Sequence, residues 1–141
     1  MAQDIRSLDY GSGAAFVCGP MMSKRVLVVD DNEDAAEMLG EMLVLAGHVV
    51  LVKNDPITAL ESITEFQPQL AVLDIGLPGM SGYELAERLQ QSEMGKHCRL
   101  VALTGYGQEQ DRRRSARAGF AHHLVKPVDF ERLMNIIERD C

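Results

Sequence analysis

The sequence predicts a doubly wound α/β fold in which five parallel strands alternate with five helices. Short, almost wholly apolar runs recur along the chain, and segments with apolar residues at helical spacing separate them. Such runs are typical of strands covered on both faces, as in a parallel sheet. Because each parallel crossover needs a helix, the alternation predicts helices on both faces of the sheet. The predicted strands are 25–30, 48–52, 70–74, 100–103 and 122–125.

The first two helices are marked by apolar spacing and by end signals. In the first helix, apolar residues recur on one face and Gly47 closes the helix. Asp55 and Pro56 fit an N-cap followed by proline at the first position of the second helix. The residues predicted to face the core from the first helix are Ala35, Met38, Leu39, Met42, Leu43 and Ala46.

The last three helices are predicted mainly from their ends. Ser81 and Glu84 fit a capping box that opens the third helix. Residues 108–118 form a charged fourth helix, which Gly119 ends. Asp129 is the predicted N-cap of the fifth helix.

The composition is that of one ordinary globular domain. The chain has 141 residues, of which 46% are apolar and 25% charged, so it can bury a core without disulfides or a structural metal. The net charge of −7 argues against nucleic-acid binding, because phosphate contacts need Lys and Arg. The arginines at 112–114 are therefore interpreted as a solvated helix face. Three widely spaced cysteines predict reduced thiols in a cytoplasmic protein, and no apolar stretch is long enough to predict membrane contact.

Residues 1–22 differ from the rest of the chain. Gly11, Gly13 and Gly19 interrupt a stretch that has no clear period. We expect this leader to be poorly ordered, as either an artificial extension before a native start or a linker from an upstream domain. The predicted domain is 23–141.

Polar side chains follow or end four of the five predicted strands. Asp30 ends the first and Asp31 follows it, Asp74 ends the third, Thr104 follows the fourth and Lys126 follows the fifth. Because the carboxyl ends of parallel strands share one edge, we expect these side chains to converge. Three crowded carboxylates repel each other, and a hard cation with oxygen ligands relieves the repulsion. The pattern therefore predicts a Mg²⁺ site.

The same residues suit phosphoryl transfer. A carboxylate such as Asp74 can attack phosphorus and give an aspartyl phosphate. Lys126 can pair with Asp74 before the reaction and with phosphoryl oxygens afterwards, and Thr104 can donate a hydrogen bond to one of those oxygens. Positioning and charge neutralisation suffice for this chemistry, so no organic cofactor is expected.

Four segments carry a resemblance to a known family. They are VLVVDDNEDAAEML, LAVLDIGLPGMSGYELA, LVALTGYG and HHLVKPVD, and they occur in order. Together they resemble the receiver domains of bacterial two-component signalling over about residues 24–140. The resemblance implies a flavodoxin-like fold with strand order 2-1-3-4-5.

The resemblance also implies a role for each candidate site residue. Asp74 would be the phospho-acceptor and Thr104 the switch hydroxyl. Lys126 would hold the phosphoryl group, and its bond to Pro127 would be cis. The Mg²⁺ ligands would be Asp31, Asp74 and the backbone carbonyl of Gly76, with Asp30 acting through water.

One position departs from the family pattern. Many receivers carry an aromatic residue three positions before the lysine, and it swings inward on activation. Here that residue is His123, and the histidine pair resembles receivers attached to hybrid histidine kinases. Tyr106 is expected to gate access to the phosphoryl group rather than to replace that switch.

The predicted function is a phosphoryl-accepting signalling module. A histidine kinase or a histidine phosphotransfer protein would donate to Asp74, and a surface around the fourth helix and fifth strand would then bind a partner. The module would belong to a hybrid kinase or stand alone, as a monomer or weak dimer. We expect no enzymatic turnover beyond its own phosphorylation and slow dephosphorylation.

Two other functions compete with this one. A small Mg²⁺-dependent phosphatase with an aspartyl-phosphate intermediate would usually have a second Asp two residues after the nucleophile, where this chain has Gly76. A flavodoxin-like cofactor binder would need a phosphate-cradling loop after the first strand, but residues 30–33 have the wrong charge.

Overall fold

A computed structural model of the chain describes residues 5–6, 23–105 and 112–139. Strands and helices alternate throughout the domain, as the sequence predicts. The elements are β1 (Ile5–Arg6), β2 (Arg25–Val29), α1 (Glu33–Leu45), β3 (Val49–Lys53), α2 (Pro56–Phe66), β4 (Leu70–Asp74), α3 (Gly82–Gln91), β5 (Arg99–Thr104), α4 (Arg112–Ala118), β6 (Phe120–Val125) and α5 (Phe130–Arg139).

The strands form one sheet in the order β1-β3-β2-β4-β5-β6. The five strands from β2 to β6 pair with one another in parallel. Counted among themselves they have the order 2-1-3-4-5, which confirms the predicted topology. Because β3 and β4 flank β2 on opposite sides, the chain changes direction across the sheet there. Open α/β sheets bind ligands at this switch point.

The short strand β1 was not predicted. Ile5 pairs with Leu51 and Arg6 with Val50, antiparallel to β3, so part of the leader extends the sheet at its edge. Two residues are too few to show a periodicity, which is why the sequence pattern missed this strand. The rest of the leader, 1–4 and 7–22, lies outside the described residues.

Two apolar layers cover the sheet. Val26 and Val28 of β2 point toward α1 and α5, whereas Leu27 and Val29 point toward α2 and α3. Successive strand residues face opposite sides, so a strand covered on both sides must be apolar throughout. Full burial of one such side chain stabilises the fold by about 1.5–3 kcal/mol.

The buried face of α1 differs from the predicted one. Met38 was expected in the core, but it is 64% exposed, and Ala35 is exposed as well. The helix contacts the sheet through Gly40, where an added Cβ would lie 2.8 Å from Cγ2 of Val52. Because a glycine is not counted as hydrophobic, the pattern placed the buried face of the helix one residue too early along the chain. The buried residues are Ala36, Leu39, Gly40, Leu43 and Val44.

The helix ends follow the predicted capping chemistry. Each N-cap side chain accepts a hydrogen bond from an amide three residues later: Asn32 from Ala35, Asp55 from Thr58, Ser81 from Glu84 and Asp129 from Arg132. Gly47 and Gly119, at φ of 103° and 97°, follow α1 and α4 in the left-handed region. Residues 108–111 of the predicted fourth helix lie outside the described part. Within the described ranges, no helix is both long and apolar enough to cross a membrane.

Candidate functional site

Three carboxylates meet at the carboxyl ends of β2 and β4. Asp30 and Asp31 directly follow β2, and Asp74 is the last residue of β4, its neighbour in the sheet. One carboxylate oxygen from each residue lies within 4.8 Å of those of the other two. Asp31 is exposed, whereas Asp30 and Asp74 are buried. We call this group the acidic crevice.

Lys126 joins the crevice from the end of β6. Its Nζ lies 2.9 Å from Oδ2 of Asp30 and 3.1 Å from Oδ2 of Asp74. The contact with Asp74 was predicted from the sequence, but the shorter contact with Asp30 was not. The bond between Lys126 and Pro127 is cis, as the resemblance implies. One ammonium group faces three carboxylates, so the crevice keeps an excess of negative charge.

Asp74 is held at both of its carboxylate oxygens. Oδ1 accepts a hydrogen bond from the amide of Gly76 at 2.9 Å, and Oδ2 accepts one from Lys126. The side chain retains 9% of its exposure, so it remains in contact with the crevice opening. These two bonds orient the carboxylate before any ligand arrives.

Gly82 brings the start of α3 against the end of β4. A Cβ added there would lie 2.5 Å from the carbonyl oxygen of Asp74 and 2.6 Å from Cα of Ile75. Gly82 also donates from its amide to the carbonyl of Ile75 at 3.0 Å. The sequence pattern indicated only that this glycine belongs to a helix start, whereas the structure shows that a side chain there would collide with the backbone of Asp74.

The pKa values of Asp30 and Lys126 are both raised in the site. Burial raises the pKa of the Asp30 carboxyl, against hydrogen bonds from the Asn32 amide and Lys126, and the charge of Asp74 raises it further. Burial by itself would lower the pKa of Lys126, but Asp30 and Asp74 outweigh it, so that pKa is raised. The lysine therefore stays charged without fully compensating the carboxylates. A site of oxygen donors with uncompensated negative charge fits a hard divalent cation.

Thr104 ends β5 between the strands that carry Asp74 and Lys126. It is buried, and its carbonyl accepts a hydrogen bond from the Lys126 amide at 2.8 Å. The preceding carbonyl, of Leu103, accepts one from the Ile75 amide at 3.0 Å. The backbone therefore ties the strand ends together, and all five predicted side chains lie at one edge of the sheet.

His123 lies in a row of rings that sequence reasoning missed. Its ring centre is 6.1 Å from that of Phe120, which packs edge-on against Tyr83 with the same separation. The guanidinium of Arg114 lies 4.5 Å from the centre of the Tyr83 ring. This row connects β6 with α3 and α4. Tyr106 lies outside the described residues, so its predicted gating role stays a prediction.

Comparison with known proteins decides the family. Residues 26–138 match the family model of the response regulator receiver domain. The chain belongs to this family. The match confirms the family that the sequence predicted. Receiver domains are signalling modules of two-component systems and interact with histidine kinases or phosphotransfer proteins.

Two relatives match this receiver domain over most of their length. An uncharacterised 14.6 kDa protein from Leptolyngbya boryana is 36% identical over 116 residues, covering 82% of this chain and 88% of its own. Sporulation initiation phosphotransferase F of Bacillus subtilis is 27% identical over 119 residues, covering 84% and 94%.

A solved receiver domain shares the fold of this chain. The receiver domain of the sensor histidine kinase PA1611 from Pseudomonas aeruginosa has a TM-score of 0.74 and 27% identity, covering 84% of this chain and 97% of its own. That structure contains a magnesium ion coordinated in its active-site cleft.

Proposed function

We propose that Asp74 accepts a phosphoryl group from a phosphohistidine in a Mg²⁺-dependent reaction. One observation carries the proposal: a carboxylate held by Lys126 at 3.1 Å lies in a crevice with Asp30 and Asp31. Membership of the receiver family supports the same conclusion. The donor would be a histidine kinase or a histidine phosphotransfer protein.

The residues present suit a magnesium site. Asp31 and Asp74 would ligate the ion directly together with the backbone carbonyl of Gly76, while Asp30 would act through water. The bound ion would neutralise negative charge as the phosphoryl group approaches. The convergence of the three carboxylates, with one oxygen of each within 4.8 Å of the others, supports this assignment.

The transfer itself is a displacement at phosphorus. An oxygen of Asp74 forms the new O–P bond as the N–P bond to the donor histidine breaks, and the imidazole takes the electron pair. Lys126 then shifts from a carboxylate oxygen to the phosphoryl oxygens. The new O–P bond therefore forms in the crevice, and the electron pair of the broken N–P bond stays on the donor imidazole.

The signal would leave the crevice through Thr104 and β6. A phosphoryl group adds a charge of about −1.5 to −2. The Thr104 hydroxyl would donate to it, and the bond between the Thr104 carbonyl and the Lys126 amide couples that movement to β6. The surface of α4 and β6 would then shift toward a partner-binding state.

The histidine pair at 122–123 supports a receiver that belongs to a hybrid histidine kinase. The similarity to the receiver domain of a sensor kinase agrees with this choice. A stand-alone regulator is the alternative, and the similarity to phosphotransferase F agrees with that one. The neighbouring coding sequence in the source genome separates the two.

The test is direct phosphorylation. Incubation with acetyl phosphate and Mg²⁺ should add the mass of one phosphoryl group to the intact protein, and removal of Mg²⁺ with EDTA should prevent it. The Asp74→Asn variant should not gain this mass, whereas the matched surface variant Asp34→Asn should gain it normally. Equal labelling of Asp74→Asn, or no labelling of the wild type, would refute the proposal.

The phosphatase alternative is not favoured. Receiver domains typically signal rather than turn over substrates. The residue two positions after Asp74 is Gly76, which has no side chain for acid–base catalysis. Its amide instead binds the Asp74 carboxylate.

A further inference from the structure

The acidic pair Asp30 and Asp31 lies beyond the last paired residue of β2. The register of β2 ends at Val29, which lies opposite Lys53 of β3 and Leu73 of β4. The two residues that follow are therefore outside the regular pairing of the sheet. Contacts other than the strand ladder have to hold their backbone if the carboxylates are to stay together.

The end of β3 supplies two such contacts. The amide of Asp30 donates a hydrogen bond to the carbonyl of Lys53 at 3.2 Å. Asn54, the residue after Lys53, donates from Nδ2 to the carbonyl of Asp30 at 3.0 Å. Two adjacent residues thus bind both backbone groups of Asp30, and one of the two contacts is made by a side chain.

The bond from Asn54 orients more than Asp30. The carbonyl of Asp30 and the amide of Asp31 belong to one planar peptide unit. A donor that holds this carbonyl therefore also sets the direction in which the chain enters Asp31, the exposed carboxylate of the acidic crevice. Asn54 is half-buried, so water competes less for this bond than it would at the open surface.

The side chain of Asp30 is held from the other side of β2. Its Oδ2 pairs with Nζ of Lys126 at 2.9 Å, and its Oδ1 accepts from the amide of Asn32 at 3.0 Å. Lys126 follows β6, which lies on the opposite side of β2 from β3. If the bond from Asn54 were lost, the ion pair would still hold the carboxylate, but the peptide unit between Asp30 and Asp31 could rotate.

We propose that Asn54 is a positioning residue for the magnesium site. Its carboxamide holds the peptide unit between Asp30 and Asp31 in the orientation in which Asp31 and Asp74 can ligate one ion. Asn54 acts through the backbone of Asp30 and supplies no ligand of its own. This proposal rests on the proposed function, because the ion is the one that assists phosphoryl transfer to Asp74.

The test measures Mg²⁺ binding to the full chain by NMR titration, followed at the amides of Asp31 and Gly76. Asn54→Ala should raise the dissociation constant about fivefold, because only about one in five of the orientations then open to the peptide unit suits the ion. Asn54→Leu should have the same effect, since it keeps the approximate volume of the side chain but donates no hydrogen bond. This second variant also tests the proposal if the alanine variant folds poorly.

Gln90→Ala is the matched control. Nε2 of this half-buried side chain donates to the carbonyl of Cys98 at 3.2 Å, so the variant also removes a bond from a carboxamide to a backbone carbonyl. Cys98 directly precedes β5, at the end of the sheet opposite the acidic crevice. Gln90→Ala should lose about as much stability toward urea as Asn54→Ala, yet bind Mg²⁺ as the wild type does.

Phosphorylation by acetyl phosphate gives a second readout. When Mg²⁺ is well below its dissociation constant, labelling of Asp74 in Asn54→Ala should be about fivefold slower than in the wild type. At saturating Mg²⁺ the two rates should agree within about twofold, because the bound ion then selects the productive orientation. A residue that only stabilised the fold would not produce this dependence on the Mg²⁺ concentration.

The outcomes separate this proposal from the proposed function. Equal dissociation constants in the wild type and the two Asn54 variants would overturn the positioning role and leave the phosphorylation of Asp74 standing. The positioning role also fails if Gln90→Ala weakens Mg²⁺ binding as much as Asn54→Ala does. A wild type that binds Mg²⁺ but gains no phosphoryl group would refute the proposed function, while a fivefold difference in binding would still support the role of Asn54 at the ion. A wild type that binds no Mg²⁺ would overturn both.

Discussion

The two ends of the sheet bury polar groups in opposite ways. At the carboxyl ends of the strands, Asp30 and Asp74 share Lys126, and their remaining negative charge can attract a cation. At the amino end of β3, His48 is buried, and its Nδ1 accepts a hydrogen bond from the Lys24 amide at 3.1 Å. Its Nε2 has no hydrogen-bond partner among the described residues.

Burial shifts the pKa of the polar group in opposite directions at the two ends of the sheet. It raises the pKa of Asp30, because the charged form of an acid loses hydration. It lowers the pKa of His48, with Lys24 adding to the effect and Glu138 opposing it, because the charged form of a base loses hydration. The carboxyl end therefore holds charge that a ligand can compensate, whereas the amino end favours the neutral form of His48.

The largest expected effect comes from removing the lysine at the carboxyl end. In Lys126→Met, labelling of Asp74 by acetyl phosphate should fall by about 100-fold, because the ammonium group that would hold the phosphoryl oxygens is gone. Mg²⁺ should bind more tightly than in the wild type, since the competing ammonium group is gone. Unchanged labelling, or weaker Mg²⁺ binding by calorimetry, would contradict this account of the crevice.

Gly82→Ala should disturb the carboxyl end through the backbone. The new Cβ would overlap the carbonyl of Asp74, and overpacking of this kind costs about 1–3 kcal/mol of unfolding free energy. Labelling of Asp74 should fall as well, because its carboxylate moves with the backbone. Ser81→Ala is the control at the same helix end: it should cost about 1 kcal/mol through the lost cap and leave labelling intact. Chemical denaturation and intact-protein mass measurement test both statements.

The smallest effect is expected at the amino end and depends on pH. Because the folded state lowers the pKa of His48, the unfolded state binds the proton more readily, and stability falls as the pH drops below about 6.5. His48→Asn keeps an acceptor for the Lys24 amide but cannot take up the proton. Urea unfolding at pH 7.5 and pH 5.0 should show a smaller loss of stability in this variant than in the wild type. Equal losses would show that His48 does not carry the pH dependence.

Most of the fold was predictable because each buried strand appears in the sequence as a short apolar run. The strand 70–74 was predicted residue for residue, and the capping residues Asp55, Ser81 and Asp129 accept the expected amide bonds. The face of α1 was not predictable, since its contact with the sheet runs through Gly40, which adds nothing to a hydrophobic pattern. That error placed Met38 in the core, although its side chain is 64% exposed.

The candidate site was predictable at the level of residue types. Asp30, Asp31, Asp74, Thr104 and Lys126 all lie at one edge, as their positions after strands predict. Three features were not predicted. They are the ion pair between Lys126 and Asp30, the close approach of Gly82 to the Asp74 backbone, and the packing of the His123 ring on Phe120. Each depends on distances between elements that are far apart in sequence.

The sequence by itself determined the alternation of strands and helices and the polar residues at the strand ends, because local periodicity and strand direction are encoded residue by residue. Only the tertiary structure decided which side of α1 is buried, how Lys126 divides its contacts between two carboxylates, and how the backbone at Asp74 is held. These depend on how closely separate elements approach each other, and that distance is set by packing across the whole sheet.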